Sequence, residues 1–231
     1  AANTDIPKSL KEADQVYSNN IISTAKALSL AEDNDSSFLY LSSYVYGEPK
    51  YLPIDEAHPV NPGNSYINSK MICEELCKCH LNTSNRSLII LRCFNIYGYG
   101  LKKGRLIHDI MYSALRSRNI VINDPKPRRD YLYIEDFCIL LKTILHHKNI
   151  INQTFNVGSG KSYSNYEVAK IVKSLTDNSS EIKVTNNPRD NEIHKIIADI
   201  SLINKTYQWI PEVDIINGLK ATLENYISRT P

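Results

Sequence analysis

Two uninterrupted apolar runs constrain the fold of this chain more than any other feature of its sequence. Residues 38–41 read Phe-Leu-Tyr-Leu, and residues 88–91 read Leu-Ile-Ile-Leu. Strands without polar alternation are buried on both faces, as in a parallel sheet that is covered by helices. Segments with helical periodicity alternate with such runs, so the pattern predicts an α/β fold with a parallel sheet.

The predicted elements extend over nearly the whole chain. The predicted helices span residues 16–31, 66–81, 106–116, 134–146, 165–175, 200–207 and 215–226, and the predicted strands span residues 38–41, 87–91, 120–122, 154–157, 182–184 and 196–198. The chain has 231 residues, 42% of them apolar, which is enough to form a buried core.

The charge balance excludes several classes of partner. Lys and Arg total 27 against 25 Asp and Glu, without a basic block, so neither nucleic acid nor an anionic membrane is expected as a partner. No apolar stretch has the length of a membrane span, and the first five residues do not resemble a signal peptide. The sequence therefore predicts a cytoplasmic protein.

The cysteines predict neither disulfides nor a metal site. Five cysteines in a chain of this length do not resemble a disulfide framework. A metal site is one interpretation of the cluster formed by Cys73, Cys77, Cys79 and His80. However, the first two share a helix face with apolar neighbours. Unoxidised cysteine packs as a small hydrophobe, so we expect Cys73 and Cys77 to pack in the core and expect no metal.

Four Tyr-x-x-x-Lys pairs occur in the sequence, and their context distinguishes them. They begin at Tyr46, Tyr66, Tyr99 and Tyr166. The first and third contain Gly or Pro and are predicted to be turns or loops. The fourth follows its strand too closely for a substrate-sized loop. The pair Tyr66 and Lys70 begins a predicted helix and follows an apolar strand that ends at Ser42-Ser43.

Ligands of parallel α/β sheets bind beyond the carboxyl ends of the strands. Three polar segments follow predicted strands, namely residues 42–43, 92–95 and 128–130. If the fold is correct, these segments converge on one crevice. A tyrosine and a lysine one helical turn apart, opposite a serine hydroxyl, can move a proton on or off a substrate hydroxyl.

At these residues the chain resembles the extended short-chain dehydrogenase/reductase family, in the branch of sugar-nucleotide epimerases and dehydratases such as UDP-glucose 4-epimerase. The matching segments occur in the family's order and cover nearly the whole chain. They are Ala1-Ala-Asn3, Tyr17-Ser-Asn-Asn20, Leu41-Ser-Ser-Tyr-Val-Tyr-Gly47, Pro53-Ile-Asp-Glu56, Tyr66-Ile-Asn-Ser-Lys70, Leu91-Arg-Cys-Phe-Asn-Ile-Tyr-Gly98, Arg129-Asp-Tyr-Leu-Tyr133, Phe155-Asn-Val-Gly-Ser-Gly160 and Trp209-Ile-Pro-Glu212.

The resemblance implies a Rossmann-type parallel sheet that lacks its first strands, with a smaller C-terminal α/β substrate domain. Residues 1–98 and 131–158 would form the remainder of the NAD(P)-binding domain, and residues 99–130 and 159–231 would form the substrate domain. The resemblance also implies NAD or NADP as cofactor, a nucleotide sugar as substrate and a homodimer formed through helices 16–31 and 66–81.

The resemblance assigns catalytic roles to three residues. Tyr66 would act as base and acid, and Lys70 would lower the pKa of Tyr66 and bind the nicotinamide ribose. Ser42 would hold the reacting hydroxyl, with Ser43 beside it.

The resemblance also implies contacts with the two ligands. The cofactor would contact Ala2, Asn20, Tyr66, Lys70 and Phe94, and the substrate would contact Ser43, Asn95, Arg129 and Arg189. Other roles stay open, since Phe94 is equally compatible with a core position and Asn95 with bracing a loop. Arg129 is compatible with an ion pair to Asp130 or Asp136.

The chain departs from the family pattern in three places. The glycine-rich turn that meets the cofactor pyrophosphate is absent, and Ala1-Ala2 matches the segment after the fourth strand. We therefore expect a missing N-terminal segment, and the strand at 38–41 becomes a sheet edge. The Asp-Glu pair of the 4,6-dehydratases is replaced by Ser43-Tyr44, which disfavours elimination. Asn187 stands where an Arg is usual in the family.

Two hypotheses follow from these departures. In the first, the chain is the larger part of an NAD(P)-dependent epimerase or 4-keto-sugar reductase. In the second, it is a catalytically silent remnant or a module that binds nucleotide sugars.

Overall fold

The structure, a computed structural model, describes residues 12–82, 86–147, 152–176, 181–189 and 192–229. The helices are α1 (Ala13–Asp33), α2 (Ser65–Asn82), α3 (Leu106–Ala114), α4 (Ile134–His146), α5 (Asn165–Leu175), α6 (Ser201–Tyr207) and α7 (Ile215–Arg229). The strands are β1 (Phe38–Ser43), β2 (Leu88–Cys93), β3 (Asn95–Tyr97), β4 (Ile120–Ile122), β5 (Arg128–Tyr133), β6 (Gln153–Val157), β7 (Ser162–Ser164) and β8 (Ile182–Val184).

The predicted α/β architecture with parallel strands is confirmed. The central sheet has the order β1-β2-β6 with both pairs parallel. Strand β3 pairs with β5 in parallel, β5 pairs with β7 antiparallel, and β4 pairs with β8 in parallel. All seven predicted helices are present, two of them with the predicted boundaries and the others with boundaries that differ by at most three residues.

The central sheet is covered on both faces, as its apolar runs predict. One face carries Tyr40, Leu88 and Ile90, which pack against Cys73 and Cys77 of α2 and against α1. The other face packs against α4 and α6 through a cluster that includes Ile89, Leu91, Phe137, Phe155 and Ile203. The two faces alternate residue by residue along β2, because successive side chains of a strand point in opposite directions. Cys73 and Cys77 are therefore core residues.

A second apolar cluster joins α3, α5 and α7 to strands β3, β4 and β5. Its members include Tyr97, Ile110, Ile120, Val172 and Leu219. The proposed division into a cofactor domain and a substrate domain stays a prediction. Helix α6 lies within the predicted substrate domain, yet it packs in the cluster of the central sheet.

The strand assignments differ from the prediction at four places, and two of these are the short strands β3 (Asn95–Tyr97) and β7 (Ser162–Ser164), which were not predicted. Residues 196–198 do not form a strand, because Ala198 makes only an isolated bridge, to Ile54. Residues 128–130 are not a connection after a strand, since they begin strand β5. The polar sequence Arg128-Arg129-Asp130 does not predict a strand. A strand forms there because these side chains make hydrogen bonds with groups that are distant in the sequence.

Strand β1 lies at the edge of the central sheet within the part of the chain that the structure describes. It pairs with β2 on one side, and the Leu41 side chain is 41% exposed. Among these same residues, no helix is both long and apolar enough to cross a membrane.

Candidate active site

Helix α2 places Tyr66 and Lys70 at the carboxyl end of strand β1. The side chain of Asn64 accepts a hydrogen bond from the Ile67 backbone N–H at 2.9 Å, which satisfies one N–H of the first helical turn. Tyr66 and Lys70 are separated by four residues and therefore lie on one face of the helix. Both side chains are buried, with 7% and 6% exposure.

The Tyr66 phenol is in contact with the Ser43 side chain. Burial raises the pKa of Tyr66, while a hydrogen bond with Ser43 and the positive charge of Arg105 lower this pKa. Arg105 lies directly before helix α3. The structure thus brings together a phenol and a serine hydroxyl, the pair that proton exchange with a substrate hydroxyl requires.

The structure places the Ser42 side chain against helix α2. The Ser42 hydroxyl is buried and donates to Oε1 of Glu74 at 2.5 Å. Ser42 and Tyr40 are buried on the face of β1 that packs against α2, since side chains two residues apart in a strand share a face. The hydrogen bond of the Tyr66 phenol is with Ser43, at the end of the strand, and the assignment of Ser42 as the serine that holds the reacting hydroxyl stays a prediction.

The Lys70 ammonium is held by strand β1. Its Nζ atom donates to the Leu41 carbonyl at 2.6 Å and to the Tyr40 hydroxyl at 3.3 Å. It also lies 4.6 Å from the centre of the Tyr40 ring, within the range of a cation–π interaction. Burial lowers the pKa of Lys70, and the negative charge of Glu74 is among the groups that raise it.

Cys93 forms the base of this site. It pairs with Ser43 in the β1–β2 register and is 9% exposed. Burial raises the pKa of the Cys93 thiol to about 12, and the Lys70 charge lowers it. The thiol is therefore neutral near pH 7 and not a nucleophile.

The other three Tyr-x-x-x-Lys pairs lack this arrangement. Tyr46 is buried and donates to Oδ1 of Asn156 at 2.6 Å. Tyr99 lies in the loop after β3. Tyr166 is on the surface of α5, with the Lys170 ammonium 5.9 Å from its ring centre.

Of the remaining residues predicted to contact the cofactor, two are buried in the protein. The Asn20 amide donates to the Ser69 hydroxyl at 2.9 Å and links α1 to α2. Phe94 packs in an apolar cluster with Val45, and its ring centre lies 5.3 Å from that of Tyr44. Of the two alternatives for Phe94, the structure supports the core position. Ala2 lies outside the described residues.

Two of the residues predicted to contact the substrate, Asn95 and Arg129, lie at strand β5. The Asn95 amide donates to the Asp130 carbonyl at 3.2 Å. Arg129 forms an ion pair with Glu192 and donates to the Ile193 carbonyl at 2.7 Å, so its partner is neither Asp130 nor Asp136. Arg189 is exposed on the segment that leads to Glu192.

Three side chains of this region, Glu74, Arg105 and Glu192, were not predicted from the sequence. Only Glu74 had a usable signal, because it lies four residues after Lys70 on the same helix face. Arg105 and Glu192 reach the site through loops, for which the sequence contains no periodic pattern. Across the described ranges, no group of three or more His, Cys, Asp or Glu side chains could hold a metal ion.

Comparison with known proteins identifies close similarities. A model of the NAD dependent epimerase/dehydratase family matches residues 1–158. A Methanocaldococcus jannaschii protein provisionally named UDP-glucose 4-epimerase is 32% identical over 208 residues, which cover 87% of this chain and 67% of that protein.

Two solved structures have the same fold. The UDP-glucose 4-epimerase of Thermotoga maritima with UDP-glucose matches with a TM-score of 0.92 and 24% identity, over 99% of this chain and 75% of that chain. The RMD protein of Pseudomonas aeruginosa complexed with NADPH matches with a TM-score of 0.90 and 24% identity, over 100% of this chain and 79% of that chain.

Proposed function

We propose, since this chain belongs to the NAD-dependent epimerase/dehydratase family, that its site exchanges a proton with a hydroxyl of a nucleotide sugar. The reaction is either an epimerisation or the reduction of a 4-keto sugar. The observation that carries the proposal is the placement of Tyr66 and Lys70, both buried and one helical turn apart on α2, with the Lys70 ammonium donating to the Leu41 carbonyl at the carboxyl edge of a parallel sheet.

In this proposal Tyr66 is the acid and base, and Ser43 orients the sugar hydroxyl. A phenol has an ordinary pKa near 10, so acting as a base near neutral pH requires a fall of about three units, or about 4 kcal/mol. Burial raises the pKa of Tyr66, so positive charge must provide this stabilisation. Arg105 already acts in that direction, and Lys70 lies one helical turn from Tyr66 on the same helix.

The residues around Tyr66 fit the nicotinamide end of the cofactor. Lys70 offers an ammonium donor for ribose hydroxyls, and Tyr66 offers a phenol beside it. The cofactor, when bound, supplies or accepts the hydride. The protein holds the substrate hydroxyl at Tyr66 and moves its proton.

The residues after Ser42 favour epimerisation or reduction over dehydration. A 4,6-dehydration needs an acid that expels water, and the chain carries Ser43 and Tyr44 there. The Tyr44 hydroxyl donates to the Gly47 carbonyl, and burial raises the pKa of Tyr44 well above its ordinary value. Neither side chain is a carboxylate, so neither can serve as the acid of that mechanism.

In this proposal Asn95, Arg129 and Arg189 contact the nucleotide and its phosphates. Arginine binds phosphate through paired N–H donors. Arg129 is held by Glu192 and the Ile193 carbonyl, so the binding of phosphate requires Arg129 to exchange or share these partners.

A cofactor titration tests the proposal. We expect millimolar NAD or NADP to raise the midpoint of thermal unfolding of the chain by about 2–4 °C, the effect of roughly 1 kcal/mol of ligand stabilisation. Lys70→Met should abolish the increase, whereas Lys78→Met, on the same helix in an exposed pair with Glu75, should retain it.

The outcomes of this titration discriminate between the two hypotheses. No shift with either cofactor would contradict the enzymatic proposal for this chain. A shift with UDP-glucose but not with either cofactor would instead favour a module that binds nucleotide sugars.

We also propose that α1 and α2 pair with a second copy of the chain. Ile22 and Leu30 on α1 and Ile72 on α2 are 51%, 63% and 40% exposed. Light scattering at micromolar concentration should report a dimer, and Ile22→Lys combined with Ile72→Lys should give a monomer, because a buried lysine opposes association. Ile139→Lys, on the equally exposed surface of α4, should remain dimeric.

A further inference from the structure

We propose that Glu74 is a positioning residue that holds the carboxyl end of strand β1, and with it the groups that contact Lys70 and Tyr66. The inference rests on the proposed function only in the roles given to Lys70 and Tyr66. Glu74 is 2% exposed and lies one helical turn beyond Lys70 on α2. Its carboxylate is directed at the strand, where it accepts the Ser42 hydroxyl.

Glu74 is fully engaged on both carboxylate oxygens. Oε1 accepts the Ser42 hydroxyl at 2.5 Å and the Nε of Arg92 at 3.1 Å. Oε2 accepts Nη2 of Arg92 at 2.7 Å and Nε at 3.2 Å. Hydrogen bonds of this kind between ionised groups are stronger than neutral ones, and here both partners are buried.

The contacts continue across the central sheet. Arg92 also donates to the Tyr46 hydroxyl at 3.1 Å, and that hydroxyl donates to Asn156 at 2.6 Å. Ser42, Arg92 and Asn156 are direct neighbours in the register of β1, β2 and β6. A continuous line of polar contacts therefore joins the three strands just before their carboxyl ends.

The consequence for the site follows from chain connectivity. Ser42 lies between Leu41, whose carbonyl accepts the Lys70 ammonium at 2.6 Å, and Ser43, which contacts Tyr66. Consecutive residues of a paired strand cannot shift independently. The bond from Ser42 to Glu74 thus restrains Leu41 and Ser43 together.

A stabilising role alone does not explain this choice of residues. A buried ion pair can often be replaced by apolar side chains without loss of stability, because the cost of desolvation offsets the attraction between the charges. Apolar side chains could occupy the position of this ion pair between β1 and α2, as Cys77 does one turn further along the helix. The ion pair of Glu74 and Arg92 therefore fixes the position of the strand end rather than adding to the stability of the fold.

The test is competitive acetylation of Lys70 by acetic anhydride in the chain without cofactor, followed as a function of pH by mass spectrometry. The limiting rate constant of the unprotonated amine measures the accessibility of Lys70, separately from its pKa. We expect Ser42→Ala to increase this rate constant about fivefold, the effect of losing one buried hydrogen bond on a local opening equilibrium. Lys170, on the surface of α5, is the internal reference and should not change.

Two further variants separate positioning from stability. Ser36→Ala removes an exposed hydroxyl just before β1 and should match the parent. Glu74→Leu combined with Arg92→Met should remain folded, as judged by thermal unfolding, and should increase the Lys70 rate constant at least as much as Ser42→Ala.

The limiting rate constant of Lys70 decides the proposal. An unchanged value in folded Ser42→Ala would overturn it, and that variant alone is sufficient if the double variant does not fold. A failure of cofactor binding or turnover would contradict the proposed function and leave the acetylation result valid, because the acetylation assay uses neither.

Discussion

Tyr66→Phe is expected to lower turnover by about two to four orders of magnitude, the usual contribution of a general acid and base. The substitution removes the hydroxyl that contacts Ser43 and keeps the ring, which is 7% exposed. The variant should therefore unfold within about 1 kcal/mol of the parent, since one hydrogen bond is lost and no cavity forms.

The assay joins this chain to the part of the Methanocaldococcus jannaschii relative that lies outside the match, since the chain covers 67% of that protein. It follows the conversion of UDP-glucose in the presence of NAD. Tyr166→Phe is the matched control, because Tyr166 also precedes a lysine by four residues on a helix but lies on the surface of α5. Turnover by Tyr66→Phe at the rate of this control would reject the assignment of Tyr66 as the acid and base.

The second large effect is expected on stability, from Asp130→Ala. The Asp130 side chain is fully buried, and its carboxylate accepts from the Ser159 backbone and hydroxyl at 2.6 and 2.8 Å. It also accepts from the backbone N–H groups of Gly160 and Ala198, both at 3.0 Å. The alanine variant leaves four donors without their acceptor, so we expect a loss of about 3–5 kcal/mol in the free energy of unfolding.

Urea denaturation measures this loss. Asp130→Asn retains one acceptor oxygen and should fall between the parent and the alanine variant. Asp124→Ala is the control, because the Asp124 carboxylate accepts one exposed hydrogen bond, from the Lys126 N–H at 2.9 Å. A change below about 1 kcal/mol for Asp130→Ala would show that water replaces the carboxylate, in conflict with its complete burial.

Asp130 also illustrates which part of the fold could not be predicted. Its partners lie 29, 30 and 68 positions away along the chain. Sequence patterns report periodicity within one element, and strand β5 begins with three charged residues that resemble a loop. The strand exists because distant backbone groups and the carbonyl of Ser162 satisfy these side chains.

The helices, by contrast, were predictable from local patterns. Helices α4 and α5 have the predicted boundaries, at Ile134–His146 and Asn165–Leu175. In α5 the reason is visible, because Ser164 and Glu167 form a capping box that begins the helix. Such signals lie within a few residues of each other and do not depend on tertiary contacts.

The sequence by itself determined the α/β fold, the family and the helix that presents Tyr66 and Lys70, because periodicity and short motifs are local properties. Only the tertiary structure decided which serine meets Tyr66. A strand that is displaced by one residue exchanges its faces, so two adjacent serines cannot be distinguished without knowing what packs on each side. In the structure the Ser42 hydroxyl donates to Glu74, and the Tyr66 phenol has Ser43 as its hydrogen-bond partner.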